Sequence, residues 1–411
     1  MRRRSPAWPI GRARSRGWLA WALAAGLILA GIAPALAAVD YRTEIRVQGV
    51  ESGPVTVALT AASQLVALQS KPPLSNAALR RRAVDDLPRL IQVMHAEGYW
   101  SAKASFELDE SQKPVRLTVT IDPGPLYTLA SVTFHTQEGR EPTLLQSVGP
   151  TAFGLEVGGA ARSAPVAAAE SQIVERYARN GYPFAKVTNR NAVVDVAKRT
   201  MSVTYTVDPG SPATFGPVTV GGLVKVEREV VERRIGWKRG APYDSRLVEA
   251  TRQDLVQTGL FSAVRIDHAG APDAQGEVAM TIALVEGPPH SIGAGIAYNT
   301  TIGFGGQTFW EDRNLFGEGE RLRVTAGAAQ RQLALALDFR KPDFVDRNQT
   351  LIGDAGLLQQ TTDAYNSFRE QLFAGIERPL APSLTFVAGP DFEHARVHQN
   401  ETGLSDENYS L

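Results

Sequence analysis

Apolar positions in residues 41–290 follow two periods that recur in the same order. Val115, Leu117, Val119 and Ile121 alternate with Arg116, Thr118 and Thr120 and end at Asp122-Pro123-Gly124. The same design returns at Met201 to Val207 before Asp208-Pro209-Gly210, and at Val278 to Leu284 before Glu286-Gly287-Pro288. Alternation at period two reads as a strand with one buried face. Ahead of these strands the spacing changes to three and four, at Leu79, Ala83, Leu87, Leu90, Ile91 and Met94, then over Val166 to Arg179 and Ser245 to Thr258. Those are amphipathic helices, and Pro88 is expected to kink the first. Each is followed by a glycine signature: Gly98-Tyr99-Trp100-Ser101-Ala102, Gly181-Tyr182-Pro183-Phe184-Ala185 and Gly259-Leu260-Phe261-Ser262-Ala263. Gly98, Gly181 and Gly259 fall where a helix C-cap needs positive φ. Further strands are expected at Tyr41 to Val47, Ala130 to His135 and Thr214 to Val220. Near-constant spacing predicts three copies of one α+β unit, strand-helix-helix-strand-strand. Boundaries follow at the turns, giving 38–125, 126–212 and 213–289.

After Pro289 only period two remains. Ile292, Ala294, Ile296 and Tyr298 alternate with Gly293, Gly295, Ala297 and Asn299, and Leu333, Leu335, Leu337 and Phe339 with Ala334, Ala336, Asp338 and Arg340. About seven strands are expected, near 291–299, 304–313, 320–329, 332–341, 350–361, 368–378 and 383–398. Stretches of roughly ten residues, apolar on one face and small or polar on the other, are the pattern of an outer-membrane barrel. A soluble sandwich shows the same alternation, and the amino terminus favours the barrel. Residues 1–37 hold six arginines and no acid, then an apolar run from Trp18 to Ala33, Pro34, and Ala35-Leu36-Ala37. This is the form of a secretory leader cleaved after Ala37; the alternative is a retained anchor. Beyond residue 37 there are 37 basic and 43 acidic side chains. Without a basic stripe, nucleic acid is excluded as a partner. The chain has no cysteine, hence no disulfide framework and no thiolate site.

No catalytic set stands out, and no cofactor is expected. Gly303, Gly305 and Gly306 neither follow a buried strand nor open a helix, so they do not form a phosphate loop. His394 and His398 have the spacing of a helical metal pair, but their segment reads as strand, and no metal is assigned. The chemistry lies in backbone edges instead, because a small mixed sheet leaves an open strand edge able to accept an extended peptide.

Three repeats ending in Pro-Gly or Gly-Pro turns, with Asn314-Leu315-Phe316-Gly317-Glu318-Gly319-Glu320-Arg321-Leu322, resemble the outer-membrane protein assembly superfamily that includes BamA and TamA. In that family POTRA domains (β-α-α-β-β) precede a bacterial surface antigen barrel of sixteen strands. The resemblance implies three POTRA domains and, over 290–411, the first half of an all-β antiparallel barrel. It implies that Asn314, Leu315, Phe316, Gly317, Gly319 and Leu322 form the turn between the second and third barrel strands. The family's late V-R-G-Y element is missing, and Leu411 is not its terminal aromatic, so the sequence reads as C-terminally truncated. A non-enzymatic role is implied: unfolded outer-membrane or autotransporter clients are received on periplasmic POTRA domains and enter the outer-membrane lipid through a lateral gate. The gate strand here is Ser291, Ile292, Gly293, Ala294, Gly295, Ile296, Ala297, Tyr298 and Asn299. Three POTRA domains resemble TamA most, implying a TamB-like periplasmic partner on the first. The rival readings are a two-partner secretion transporter and a POTRA binding scaffold without a working barrel.

Overall fold

The structure is a computed structural model and describes residues 38–49, 53–139, 142–381, 383–400 and 407–410. The proposed leader, 1–37, lies outside these. The described residues form two units, which are taken separately.

The first unit pairs β1 (Tyr41–Val47) parallel to β3 (Val115–Asp122), with β2 (Lys103–Asp109) antiparallel on the other side of β3. Val115, Leu117, Val119 and Ile121 of β3 are buried, as the alternation requires. Over that face lie α1 (Pro54–Ala62), α2 (Gln64–Ala67) and α3 (Asn76–Ala96), which contribute Leu59, Leu65, Leu79, Ala83 and Leu90. Helix α3 continues past Pro88. The carbonyl that loses its amide partner belongs to Val84, which is exposed, so water can satisfy it. Asp86, buried on the inner side of α3, accepts from Ser63 Oγ (2.7 Å) and from the backbone N–H groups of Gln64 (2.9 Å) and Leu65 (3.2 Å). These N–H groups open α2, so one carboxylate satisfies donors that a helix start leaves orphaned.

The second unit repeats this order twice. β4 (Thr128–Thr136), α4 (Thr143–Gln146), α5 (Ser163–Ala178), β5 (Lys186–Asp195) and β6 (Thr200–Asp208) form a sheet in the order β4-β6-β5. Val166, Ala169, Ile173 and Tyr177 of α5 cover Met201, Val203, Tyr205 and Val207. The Tyr205 hydroxyl donates to the Val166 carbonyl at 2.7 Å. β7 (Thr214–Gly221), α6 (Arg228–Glu232), α7 (Ser245–Gln257), β8 (Phe261–His268) and β9 (Glu277–Glu286) follow, in the order β7-β9-β8. In all three sheets the last strand in sequence sits in the middle.

The remainder is one antiparallel meander: β10 (His290–Asn299), β11 (Gly303–Asp312), β12 (Arg321–Ala329), β13 (Gln332–Lys341), β14 (Thr350–Thr361) and β15 (Tyr365–Ala381), then β16 (Leu384–Ala388), β17 (Asp391–Gln399) and β18 (Glu407–Ser410). The seventh expected strand is in fact two: Gly389-Pro390 divides it, and both halves pair with β15. Proline has no N–H for the ladder, and a Cβ at Gly389 would collide with the Ala374 carbonyl, so pairing breaks where the backbones press together. Register puts Ile292, Trp310, Val324, Leu337, Ala355, Leu372 and Phe392 in one cross-strand row. The adjacent row, on the opposite face, is Ser291, Glu311, Arg323, Asp338, Asp354, Phe373 and Asp391. The apolar face is uncovered, with Ile292 81% and Ile296 96% exposed. A sandwich would bury that face, whereas a barrel turns it toward lipid.

Candidate functional site: the edge of the first barrel strand

Strand β10 leaves the third module through Glu286-Gly287-Pro288-Pro289. The Glu286 carboxylate accepts backbone N–H bonds from Val224 (2.7 Å), Lys225 (3.0 Å) and Val226 (2.9 Å). Burial alone raises its pKa, but the three amides outweigh it and hold the group below the ordinary glutamate value. Gly287 N–H donates to Leu260 O at 2.7 Å, and Arg313 N–H to Pro289 O at 2.9 Å, fixing the path into the sheet.

All ten residues of β10 are in register with β11, from His290 opposite Asp312 to Asn299 opposite Gly303. Among the described residues the other edge of β10 has no partner strand. Ser291 to Asn299 are therefore all at a sheet edge, with Ile292, Ile296 and Tyr298 exposed on the apolar face. Gly293 lies opposite Phe309, and a Cβ there would collide with the ring. The Arg323 guanidinium stacks on the same ring, 3.9 Å from its centroid. Below them Glu311, 5% exposed, faces Arg313 (2.9 Å), Arg321 (3.1 Å) and Arg323 (3.6 Å). Arg313 also donates to Ser291 Oγ at 2.8 Å.

The segment Asn314, Leu315, Phe316, Gly317, Gly319 and Leu322 connects β11 to β12. Asn314 Oδ1 accepts from Gly319 N–H (2.9 Å), and Leu315 N–H donates to Glu320 O (3.1 Å). Glu320 is fully buried, accepting from Lys341 Nζ (3.0 Å) and from Phe316 and Glu318 N–H (3.3 and 3.1 Å). Burial raises its pKa, and the lysine and amide donors more than reverse that. Gly317, at φ +109, accepts the Glu227 N–H at 2.9 Å. Arg233 faces Glu318 at 3.7 Å, Arg234 forms a largely buried pair with Asp343 at 2.6 Å, and Arg347 pairs with Asp254. The third module is thus docked on two turns at one end of the sheet.

The cap glycines Gly98, Gly181 and Gly259 have φ of +97, +94 and +70 and each follows a helix. They lie in the modules, apart from the β10 edge. His394 and His398 lie on β17, where four residues of strand separate them by roughly 13 Å; His394 Nδ1 is 2.9 Å from Ser410 Oγ. Among the described residues no group of three or more metal-ligating side chains is assembled. Sequence reasoning missed Glu311, Arg313, Glu286 and the Arg234–Asp343 pair. The Asp/Glu-Arg alternation at Glu311, Arg313, Arg321 and Arg323 was the one available signal.

The POTRA family model, described as surface antigen variable number repeat, matches residues 127–210 and 213–287. Outer membrane protein assembly factor BamA of Neisseria meningitidis serogroup B is 23% identical over 176 residues, 42% of this chain and 22% of that protein. BamA of Haemophilus ducreyi lacking POTRA domains 1–3 superposes with a TM-score of 0.60 at 15% identity, over 69% of this chain and 57% of that one. POTRA domains 3–5 of Haemophilus influenzae BamA align at 22% identity and a TM-score of 0.39, over 62% of this chain and all of that one. The chain spans less than a quarter of the length of the Neisseria relative. Two of the three β-α-α-β-β modules thus match the POTRA family model, the chain is similar in sequence to a BamA, and its meander shares the fold of the BamA barrel.

Proposed function

We propose that this protein is an outer-membrane assembly factor of TamA type, whose β10 edge is the lateral gate at which client strands are added. One observation carries the reading: a glycine-rich strand whose outer edge has no partner among the described residues, bordered by an exposed apolar face. In lipid an open edge leaves backbone groups without partners, each costing several kcal/mol, so a client strand that pairs there is stabilised strongly. Burial of the client's apolar face adds about 25 cal/mol per Å². No nucleotide is needed. Residues 38–125, 126–212 and 213–289 are the three POTRA domains, periplasmic after removal of 1–37, and their open edges hold unfolded autotransporter or barrel clients. The first domain is the contact for a TamB-like partner, and 290–411 meets outer-membrane lipid.

Proline at adjacent positions tests this, since the N–H groups of Ile296 and Ala297 point to opposite edges of β10. Of Ile296→Pro and Ala297→Pro, the one facing the open edge abolishes assembly of an autotransporter client into heat-resistant, folded form while the POTRA domains stay folded. Normal assembly by both variants defeats the gate. Failure of the protein to enter the outer membrane favours a binding scaffold.

A further inference from the structure

What holds β10 in register is not obvious from its own side chains. Its polar face carries Gly293, Gly295 and Ala297, the last two of which line, with Gly305, Gly327 and Ala334, an open groove of about 290 Å³. The apolar face repeats every second residue, so a slide of two residues against β11 sets like against like. Such strands are prone to slippage. Beside the Arg313 N–H to Pro289 O bond and the His290–Asp312 pair (3.3 Å) at the strand's start, two contacts along its polar face break the degeneracy, and they act in opposite directions. The Phe309 ring fills the volume of a Cβ at Gly293, so a slide that brings Ser291 beneath the ring is blocked. The reverse slide brings Gly295 beneath it, and glycine is no obstacle. Against that slide stands the fork of Arg313, with Nε on Glu311 Oε1 (2.9 Å) and Nη2 on Ser291 Oγ (2.8 Å). A two-residue shift moves Ser291 by about 7 Å and puts Gly293, which has no hydroxyl, in its place. Glu311 itself cannot yield, being buried and shared with Arg321 and Arg323.

We propose that Arg313 is a positioning residue that sets the register of β10 through Ser291, so that the strand presents one fixed alignment to an incoming client strand. This rests on the reading of β10 as the pairing template. A register error there propagates to every strand added to it, which makes the lock more consequential than a contact of its size inside a closed sheet.

The absence of native cysteine allows a direct test by disulfide trapping in the full-length protein in membranes. Gly295→Cys with Gln307→Cys reports the observed register, in which the two are directly opposed. Ala297→Cys with Gln307→Cys reports the slide that Arg313 opposes. In the otherwise unaltered chain the first pair forms and the second is rare. Arg313→Ala raises the second bridge about tenfold relative to the first, the effect of losing one charge-assisted hydrogen bond. Ser291→Ala does the same without touching the charge cluster, and Ser291→Thr, which keeps the hydroxyl, restores the original ratio. If Arg313→Ala prevents both bridges, Ser291→Ala and Ser291→Thr decide. An unchanged ratio in Ser291→Ala, or no rescue by threonine, overturns the proposal. The bridges form without a client, so failure of this inference is distinct from failure of the gate, which the proline variants report.

Discussion

Asp86 takes three hydrogen bonds at the start of α2. Its removal leaves the buried Leu65 N–H and Ser63 hydroxyl without their acceptor, along with the half-buried Gln64 N–H, so Asp86→Ala should cost the first module about 2–3 kcal/mol. Faster hydrogen exchange over 59–90, with β12 to β14 unchanged, is the expected result. Glu286 supplies a pH test at the same scale. Its folded pKa lies below the ordinary value of 4.5, so its contribution is complete above that value and disappears as pH falls through the depressed one. Protection of the Val224, Lys225 and Val226 amides should therefore be lost as pH falls below the ordinary glutamate value and through the depressed one, and should lose its pH dependence in Glu286→Gln. Neither residue could be read from the sequence. Asp86 lies 23 positions from Ser63 and Glu286 lies 62 from Val224, and a carboxylate's role is fixed by which amides the fold carries to it. Gly98, Gly181 and Gly259 were legible because a helix end is local.

At the scale of elements, alternation located β3, β6 and β9 well, because each is a central strand with one face under helices. It erred at 383–398, where alternation continues across Gly389-Pro390 although the ladder does not. The docking of α6 on the barrel turns was invisible, since Arg234 and Asp343 are 109 residues apart. Breaking a buried pair by removing one partner costs about 3–5 kcal/mol. Arg234→Ala should therefore release the turn at 342–349, seen as rapid exchange of the Phe344 and Gln349 amides. Proteins that keep a rigid joint should show no such change on replacing the exposed Arg228 instead. Gly317→Ala should weaken the same joint more mildly. Its positive φ disfavours a side chain, and a new Cβ would approach Glu227 Cγ to 3.0 Å.

For the molecule as a whole, the exposed apolar rows of β10 to β17 and the water-compatible surfaces of the modules predict a sharp partition in a bilayer. Protease added on the module side of reconstituted vesicles should remove residues up to about Pro289 and leave a protected fragment starting near His290. Digestion of β10 to β14 at the same rate as the modules would contradict it. The placing of each module's last strand at the centre of its sheet bears on timing. Until Val115–Asp122, Thr200–Asp208 or Glu277–Glu286 has been delivered, the strands flanking it have nothing to pair with. The parallel pairs β1·β3, β4·β6 and β7·β9 each close across some seventy residues, a non-local contact that is slow to form. Each module thus stays a pliable thread while its chain is still arriving, suited to passage through a narrow conduit, and acquires shape only once its final segment is through.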